Sequence, residues 1–264
     1  MRPNRHSFES SADLLLLAEM QNMSTITTKD DTRSTIAERP AGLQKPQVLL
    51  AGAFAGRLLP TIRQRFAVQA FGNEFIDLGK IDFTNVGIAI FFGYGYRIAE
   101  HHLNKTIFIN LHSSLLPLGR GPQPHIWNWI NGDPHGVTIH KMSAEIDKGP
   151  IIVQRKVELE QCEHSINSTM YALVDAATEL FRENWIAISE GTFSLKETDA
   201  LGSSHSLKDT RQIQDLVKRL ADAPVSIFLQ EVRTRMSALA YYSLSAGQID
   251  QTRRARSLAA PVSS

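Results

Sequence analysis

Apolar positions along this chain alternate between two repeats, and the switches mark its elements. Val48-Leu49-Leu50-Ala51-Gly52 is a continuous apolar run closed by glycine, the pattern of a strand buried on both faces of a parallel sheet. Leu58 to Arg65 predicts a short helix and Phe66 to Phe71 a second strand. Val86 to Phe92 is another buried strand, followed by a helix from Arg97 to Leu103. In Ile107-Phe108-Ile109-Asn110-Leu111-His112 the period is two, so Asn110 and His112 share one face while Ile107, Ile109 and Leu111 take the other. Pro122 to Gly132 predicts a short helix carrying Trp127 and Trp129. Two apart, these tryptophans do not share a helix face, so one is expected in the core and the other at a cleft edge or partner surface.

Val137 to Met142 and Ile151 to Leu159 are strand-like, and Asp147-Lys148-Gly149-Pro150 between them is turn chemistry. Ser165 to Ser189 reads as one long helix with Met170, Leu173, Ala177, Leu180 and Phe181 on a face, ended by Gly191. Arg211 to Leu220 and Ser226 to Leu239 predict two more helices. Strands alternating with helices imply an α/β domain: a mostly parallel sheet with helices on both faces. Asn110 then falls near the carboxyl end of its strand, where open α/β sheets bind ligands. Gly52-Ala53-Phe54-Ala55-Gly56 does not match the dinucleotide fingerprint, so no nicotinamide cofactor is expected.

Composition narrows the classes. The chain has 264 residues, 42% hydrophobic and 21% charged, which suits a globular domain with an appended subdomain. A formal net charge of +1 leaves no electrostatic footprint for RNA or an anionic membrane, so nucleic acid is not an expected partner. Cys162 is the sole cysteine, which excludes a disulfide framework and a cysteine-based zinc cluster. His101 and His102 are adjacent and poorly spaced for ligation, so no metal is expected. No apolar stretch approaches the ~20 residues of a membrane-spanning helix. At the amino terminus, Leu14 to Leu17 is shorter than the ~7–15 residues of a signal-peptide core. Glu9, Asp13 and Glu19 do not fit an acid-poor presequence. A cytoplasmic protein is the expectation, with Met23 an alternative start. Met23 to Pro46 is rich in Ser, Thr, Asp and Arg without periodicity and is expected to be disordered. The resulting division is 1–45 as a weakly structured extension, 46–194 as the catalytic domain and 195–264 as a helical tail.

The chemistry concentrates in IFINLHSSLLPLGRGP and, 37 positions after its asparagine, the aspartate of AEIDKGPIIVQ. An amide donor (Asn110), an imidazole (His112) and a carboxylate (Asp147) can polarise a carbonyl and move a proton, the two tasks of acyl transfer to an amine. Alone, His112 reads as a satisfied strand histidine and Asp147 as an ordinary turn residue.

Taken in order, NLHSSLLP, GRGP, GVTIH and IDKGP resemble the motifs of the folate-dependent formyltransferases, over roughly residues 86 to 193. GYGYRI resembles the segment that meets the folate ring in that family. The resemblance implies a Rossmann-like domain with 10-formyltetrahydrofolate as formyl donor. It implies that Asn110 and protonated His112 hold the formyl oxygen, while Asp147 orients His112 or a water and helps take the amine proton. It places Arg97, Ile98, Ser143, Ala144 and Glu145 in the two loops that bracket the pterin. It places Ser114, Arg120, Thr138 and His140 on the acceptor side, with Arg120 in a mobile loop facing an anionic group.

The implied reaction is transfer of a formyl group to the primary amine of a small molecule, an amino-sugar nucleotide as first guess. Alternatives are methionyl-tRNA formylation, hydrolysis of the formyl donor, and a non-catalytic folate-binding or scaffold protein. A homodimer is left open. Two departures stand out. Fewer residues separate the first strand from Asn110 than in many members, so the amino-terminal half lacks a strand–helix unit. After Leu195 the chain reads as helical, resembling the tail of shorter, sugar-acting members in GSSHSLKDTRQI, and lacks the β-barrel of the tRNA enzymes.

Overall fold

Runs of apolar residues with no polar face to leave in water are driven to the middle of a sheet, and three such runs form its centre. The computed structural model describes residues 47–197 and 202–235. The expectations for residues 1–45 and for the chain beyond 235 lie outside the described residues. Six strands form one sheet: β1 (Gln47–Ala51), β2 (Ala67–Phe71), β3 (Val86–Phe92), β4 (Ile107–His112), β5 (Gly136–Lys141) and β6 (Ile151–Lys156). Their order is β2-β1-β3-β4-β5-β6. The first four are mutually parallel, whereas β5 and β6 add on antiparallel. The helices are α1 (Leu59–Arg63), α2 (Glu100–Leu103), α3 (Pro124–Asn131), α4 (Ile166–Glu190), α5 (Leu207–Leu220) and α6, described from 225 to 235.

The period-two pattern of β4 sorts as expected. Ile109 and Leu111 join Leu50, Ile90, Val137 and Ile139 under Leu173, Val174, Ala177 and Phe181 of α4. Phe108 faces the other way, with Leu49, Ala51, Ala89 and Phe91. This second face is covered by Ile76, Leu78, Ile98 and Leu103, from a single 3₁₀ turn, a loop and α2. That thin cover closes the core on this side of the sheet.

α4 begins at a reciprocal cap: Ser168 N–H donates to Ser165 Oγ at 3.1 Å, and Ser165 N–H to Ser168 Oγ at 2.8 Å. It ends at Gly191, whose φ of 69° stops the helix. Ser165→Ala is expected to lower stability by about 1 kcal/mol, read as a shift in the urea midpoint with activity unchanged.

A second small core lies beside the sheet. Trp127 and Trp129 of α3 pack with Ile166, Ile213, Leu216, Val225, Phe228 and Val232. Both tryptophans are buried, at 8% and 7% exposure, which corrects the expectation that one would sit at a surface. The reason is that α3 is sandwiched: Trp129 Nε1 donates to Thr169 of α4 at 3.0 Å, and Trp127 Nε1 to Thr210 of α5 at 3.4 Å. The tail thus closes on the domain, and Lys196 exchanges two backbone hydrogen bonds with Ile151. α5 starts four residues before the expected Arg211, because Ser206 caps it in a box with Asp209. Among the described residues, no helix is long and apolar enough to cross a membrane.

Candidate active site

Antiparallel pairing of β5 with β4 sets Asn110 opposite His140 and His112 opposite Thr138, so four polar side chains emerge on one face at the carboxyl end of β4. The turn after β5 brings Asp147 over them. Asp147 has φ 53°, a left-handed backbone that aspartate tolerates better than most residues. That turn aims its carboxylate inward, and the side chain is 11% exposed.

The hydrogen bonds define the state of each group. His140 Nδ1–H donates to the Lys141 carbonyl at 3.1 Å, which leaves Nε2 bare to accept from Asn110 Nδ2 at 3.1 Å. Burial holds the His140 imidazole well below its ordinary pKa, against the opposite pull of Asp147, so it is neutral and acts as acceptor. Asn110 Nδ2 also lies 3.4 Å from Asp147 Oδ1, which orients the amide with its nitrogen toward the carboxylate. His112 Nε2–H donates to the Gly119 carbonyl at 2.8 Å. Its Nδ1 therefore faces Asp147, 3.8 Å from Oδ2, an ion-pair distance rather than a hydrogen bond. Gly121 N–H donates to that same Oδ2 at 2.9 Å. An amide nitrogen, an imidazole nitrogen and a carboxylate thus meet around one point, with two donors able to hold a developing oxyanion and one acceptor for a proton.

The other expected residues divide into two groups. Arg97 Nη2 donates to the Ala144 carbonyl at 3.0 Å, tying together the loops after β3 and β5. Ser143 Oγ donates to the Glu145 carbonyl at 2.9 Å, and Glu145 pairs with Lys148, which holds its carboxyl below the usual carboxylate range. Ile98 points into the core at 7% exposure, so only its backbone can face a ligand. Arg120 is half-buried near Glu145, and its Nε has no hydrogen-bond partner.

Ser114 and Thr138, expected on the acceptor side, lie beneath the loop instead. Ser114 Oγ donates to Leu118 O at 2.7 Å, and Thr138 Oγ1 to Ser114 O at 2.6 Å. Thr138 Oγ1 also accepts from Gln154 Nε2 and from the Leu116 amide. The Thr138 hydroxyl is saturated and the Ser114 hydroxyl proton is committed to the loop backbone, so both shape the 114–119 loop. Among the described residues, no group of three or more His, Cys, Asp or Glu could hold a metal ion.

Sequence reasoning missed the backbone partners, Gly119 O and Gly121 N–H; the paired glycines of Gly119-Arg120-Gly121 were the available signal. It also missed Phe75, 55% exposed, whose ring centroid lies 5.6 Å from that of Tyr96, with Tyr94 a further 5.4 Å on. Ile76 N–H donates to the Tyr94 hydroxyl and Gly95 N–H to Asn73, so this aromatic rim is fixed to the loop after β3.

The family described as "Formyl transferase" matches residues 20–184. The chain belongs to that family. A dTDP-4-amino-4,6-dideoxyglucose formyltransferase of Mycobacterium bovis is 35% identical over 109 residues, 41% of this chain and 46% of that protein. A methionyl-tRNA formyltransferase of Fervidobacterium nodosum is 34% identical over 140 residues, 48% of this chain and 43% of that protein. The chain spans about half the length of these curated relatives. Among solved structures, the formyltransferase PseJ of Anoxybacillus kamchatkensis superposes with a TM-score of 0.61 at 29% identity, covering 69% of this chain and 97% of PseJ. PseJ was solved with UDP-4,6-dideoxy-4-formamido-L-AltNAc and tetrahydrofolate.

Proposed function

We propose that this protein transfers a formyl group from 10-formyltetrahydrofolate to the primary amine of an amino-sugar nucleotide. The observation that carries the reading is the convergence of Asn110, His112 and Asp147 around one point, at 3.4 and 3.8 Å from the shared carboxylate. The likeness to PseJ, which spans nearly all of that chain, supports the donor and the acceptor class.

The loops after β3 and β5 suit a folate. The rings of Phe75, Tyr94 and Tyr96, tilted edge to face against one another, offer an apolar rim to an aryl group, and the Arg97–Ala144 tie sets two backbone edges for a pterin. Arg97, Ser143, Ala144 and Glu145 would hold it, with the backbone of Ile98. When bound, 10-formyltetrahydrofolate supplies the formyl group to the attacking amine. Asn110 Nδ2 and His112 Nδ1–H hold the formyl oxygen as negative charge gathers on it. Asp147 would stabilise the imidazolium and take the proton released by the amine, directly or through water, and that proton would pass to the departing N10 as its bond to the formyl carbon breaks. His140 keeps Asn110 oriented by accepting one of its amide hydrogens.

The buried, unpartnered Nε of Arg120 favours an acceptor that brings an anion, as a sugar diphosphate does. Arg120→Ala is expected to raise KM for the acceptor about tenfold, the worth of one charge-assisted hydrogen bond, and to leave KM for the folate within twofold. An equal rise in both would remove Arg120 from the acceptor site. The reading as a whole is tested by presenting nucleotide-linked amino sugars with 10-formyltetrahydrofolate and measuring tetrahydrofolate and formamide in equal amounts. Formate release without acceptor would make it a hydrolase, and efficient formylation of methionyl-tRNA would move the acceptor class.

A further inference from the structure

We propose that the tail segment Ser203–His205 is a positioning element for His112 and Asp147, acting through the backbone of Gly119–Gly121. Its catalytic consequence rests on the formyl-transfer reading; its effect on the imidazole does not.

Two contacts at the site come from backbone alone: the Gly119 carbonyl that fixes His112 Nε2–H, and the Gly121 N–H that fixes Asp147 Oδ2. Neither can be right unless the loop backbone is right. Ser114 and Thr138 hold the loop from below. From the other side it is held by the tail. Arg120 N–H donates to Ser203 O at 3.0 Å, His205 N–H donates to Arg120 O at 3.1 Å, and Arg120 and Ser204 form a parallel bridge. Gly119 N–H donates to Ser203 Oγ at 2.7 Å, and Ser203 Oγ donates to Asp133 Oδ2 at 3.2 Å. Each residue of the Gly119-Arg120-Gly121 turn is therefore bonded either to the tail, to a proposed catalytic side chain, or to both.

The tail itself is anchored. The His205 ring lies flat on Trp127, with centroids 3.9 Å apart and planes within 4°. His205 Nε2 accepts from Asn131 Nδ2 at 3.2 Å. Burial lowers the His205 pKa, so the ring is neutral and able to accept. The approach is close enough that a Cβ on Gly121 would collide with the His205 carbonyl. Gly121 is thus required by the strap as well as by its φ of 94°. Below the loop, Asn128 is fully buried with both amide atoms unpartnered, so it supplies no competing hold on Gly119.

The chain of contacts is Trp127 and Asn131 to His205, His205 and Ser203 to the loop, and the loop to His112 and Asp147. Loosening the first link should misplace the last, and small misplacements of reacting groups are costly in rate. Ser203→Ala removes the hydroxyl that receives Gly119 N–H, and His205→Ala removes the stack. Each is expected to lower kcat about tenfold while KM for the folate stays within twofold, and Ser203→Thr, which keeps the hydroxyl, restores the rate. The imidazole nitrogens of His112, followed by ¹⁵N NMR in the protein without substrate, report the geometry directly. In the parent, Nε2 carries a proton held by the Gly119 carbonyl, and in the Ser203→Ala and His205→Ala proteins the Nε2 signal shifts and broadens as that bond loosens.

A purely structural role for the tail would lower the melting temperature of these variants without moving the His112 signals, and that result overturns the proposal. Unchanged kcat together with unchanged nitrogen shifts overturns it as well. Moved nitrogen shifts in a protein that formylates no amine would uphold the positioning and remove the formyl-transfer reading.

Discussion

His112→Ala is expected to lower formyl transfer at least a hundredfold, measured as tetrahydrofolate formed at saturating donor and acceptor. The size follows from removing one of two donors to a developing oxyanion in a water-poor site, worth about 10²–10³ in kcat. The protein should stay folded. His112 lies outside all three apolar clusters, and its loss leaves the Gly119 carbonyl with only a long contact to Ser114 Oγ at 3.4 Å. About 1 kcal/mol of stability is at stake. Asp147→Asn is expected to match it in rate, because the amide can still accept from Gly121 N–H but cannot take a proton or stabilise an imidazolium. A folded His112→Ala protein that turns over at the parent rate would end the mechanism proposed for this site.

Mild acid is the second large effect. Burial holds the pKa of His125 down at about 3 and that of His135 at about 4. Burial lowers His140 in the same direction. Both ring nitrogens of His135 are without hydrogen-bond partners, and the pull of Asp133 offsets its burial only in part. In the unfolded chain each imidazole titrates near ~6.5. Below that pH the unfolded state binds protons that the folded state refuses, and stability falls as pH falls until the folded pKa values are reached. Each histidine contributes a slope of about 1.4 kcal/mol per pH unit, and three give about 4. A typical domain has only about 5–15 kcal/mol in all, so most of the stability should be gone by pH 4. Urea midpoints should be flat between pH 7 and 8 and drop steeply from pH 6.5 to 5, above the range where carboxylates protonate. His125→Gln should remove about a third of that slope. A midpoint that does not move between pH 7 and 5 would contradict the burial argument.

Much of this fold can be read from the chain. The alternation of β4 alone assigns Asn110 and His112 to one face and Ile109 and Leu111 to the α4 core, because a strand leaves side chains no other choice. Helix α4 is equally legible from its apolar stripe, its serine cap and Gly191. The reading fails where a second layer is involved. Helix geometry alone sorts Trp127 and Trp129 into one inner and one outer residue, which holds only for a helix with a single core. Here α5 and α6 build another one on the far side of α3. Ser114 and Thr138 follow the same logic. A hydroxyl can face a ligand or a backbone carbonyl, and which it meets depends on where the 114–119 loop lies. That position is fixed in part by a tail more than eighty residues away, and no local pattern around Ser114 reports it.

The bridge between loop and tail also sets an order of assembly. Gly119 and Ser203 are 84 positions apart. A ribosome adding about 5–20 residues per second passes that interval in roughly 4–17 s. Through that time the sheet strands and α4 can pair, since all of them precede Gly191. The loop beside His112 has only its lower supports until Ser203–His205 has been made and has left the exit tunnel. The scaffold of the site is therefore encoded first and its final alignment later, so a nascent chain would become competent only once Ser203–His205 has emerged.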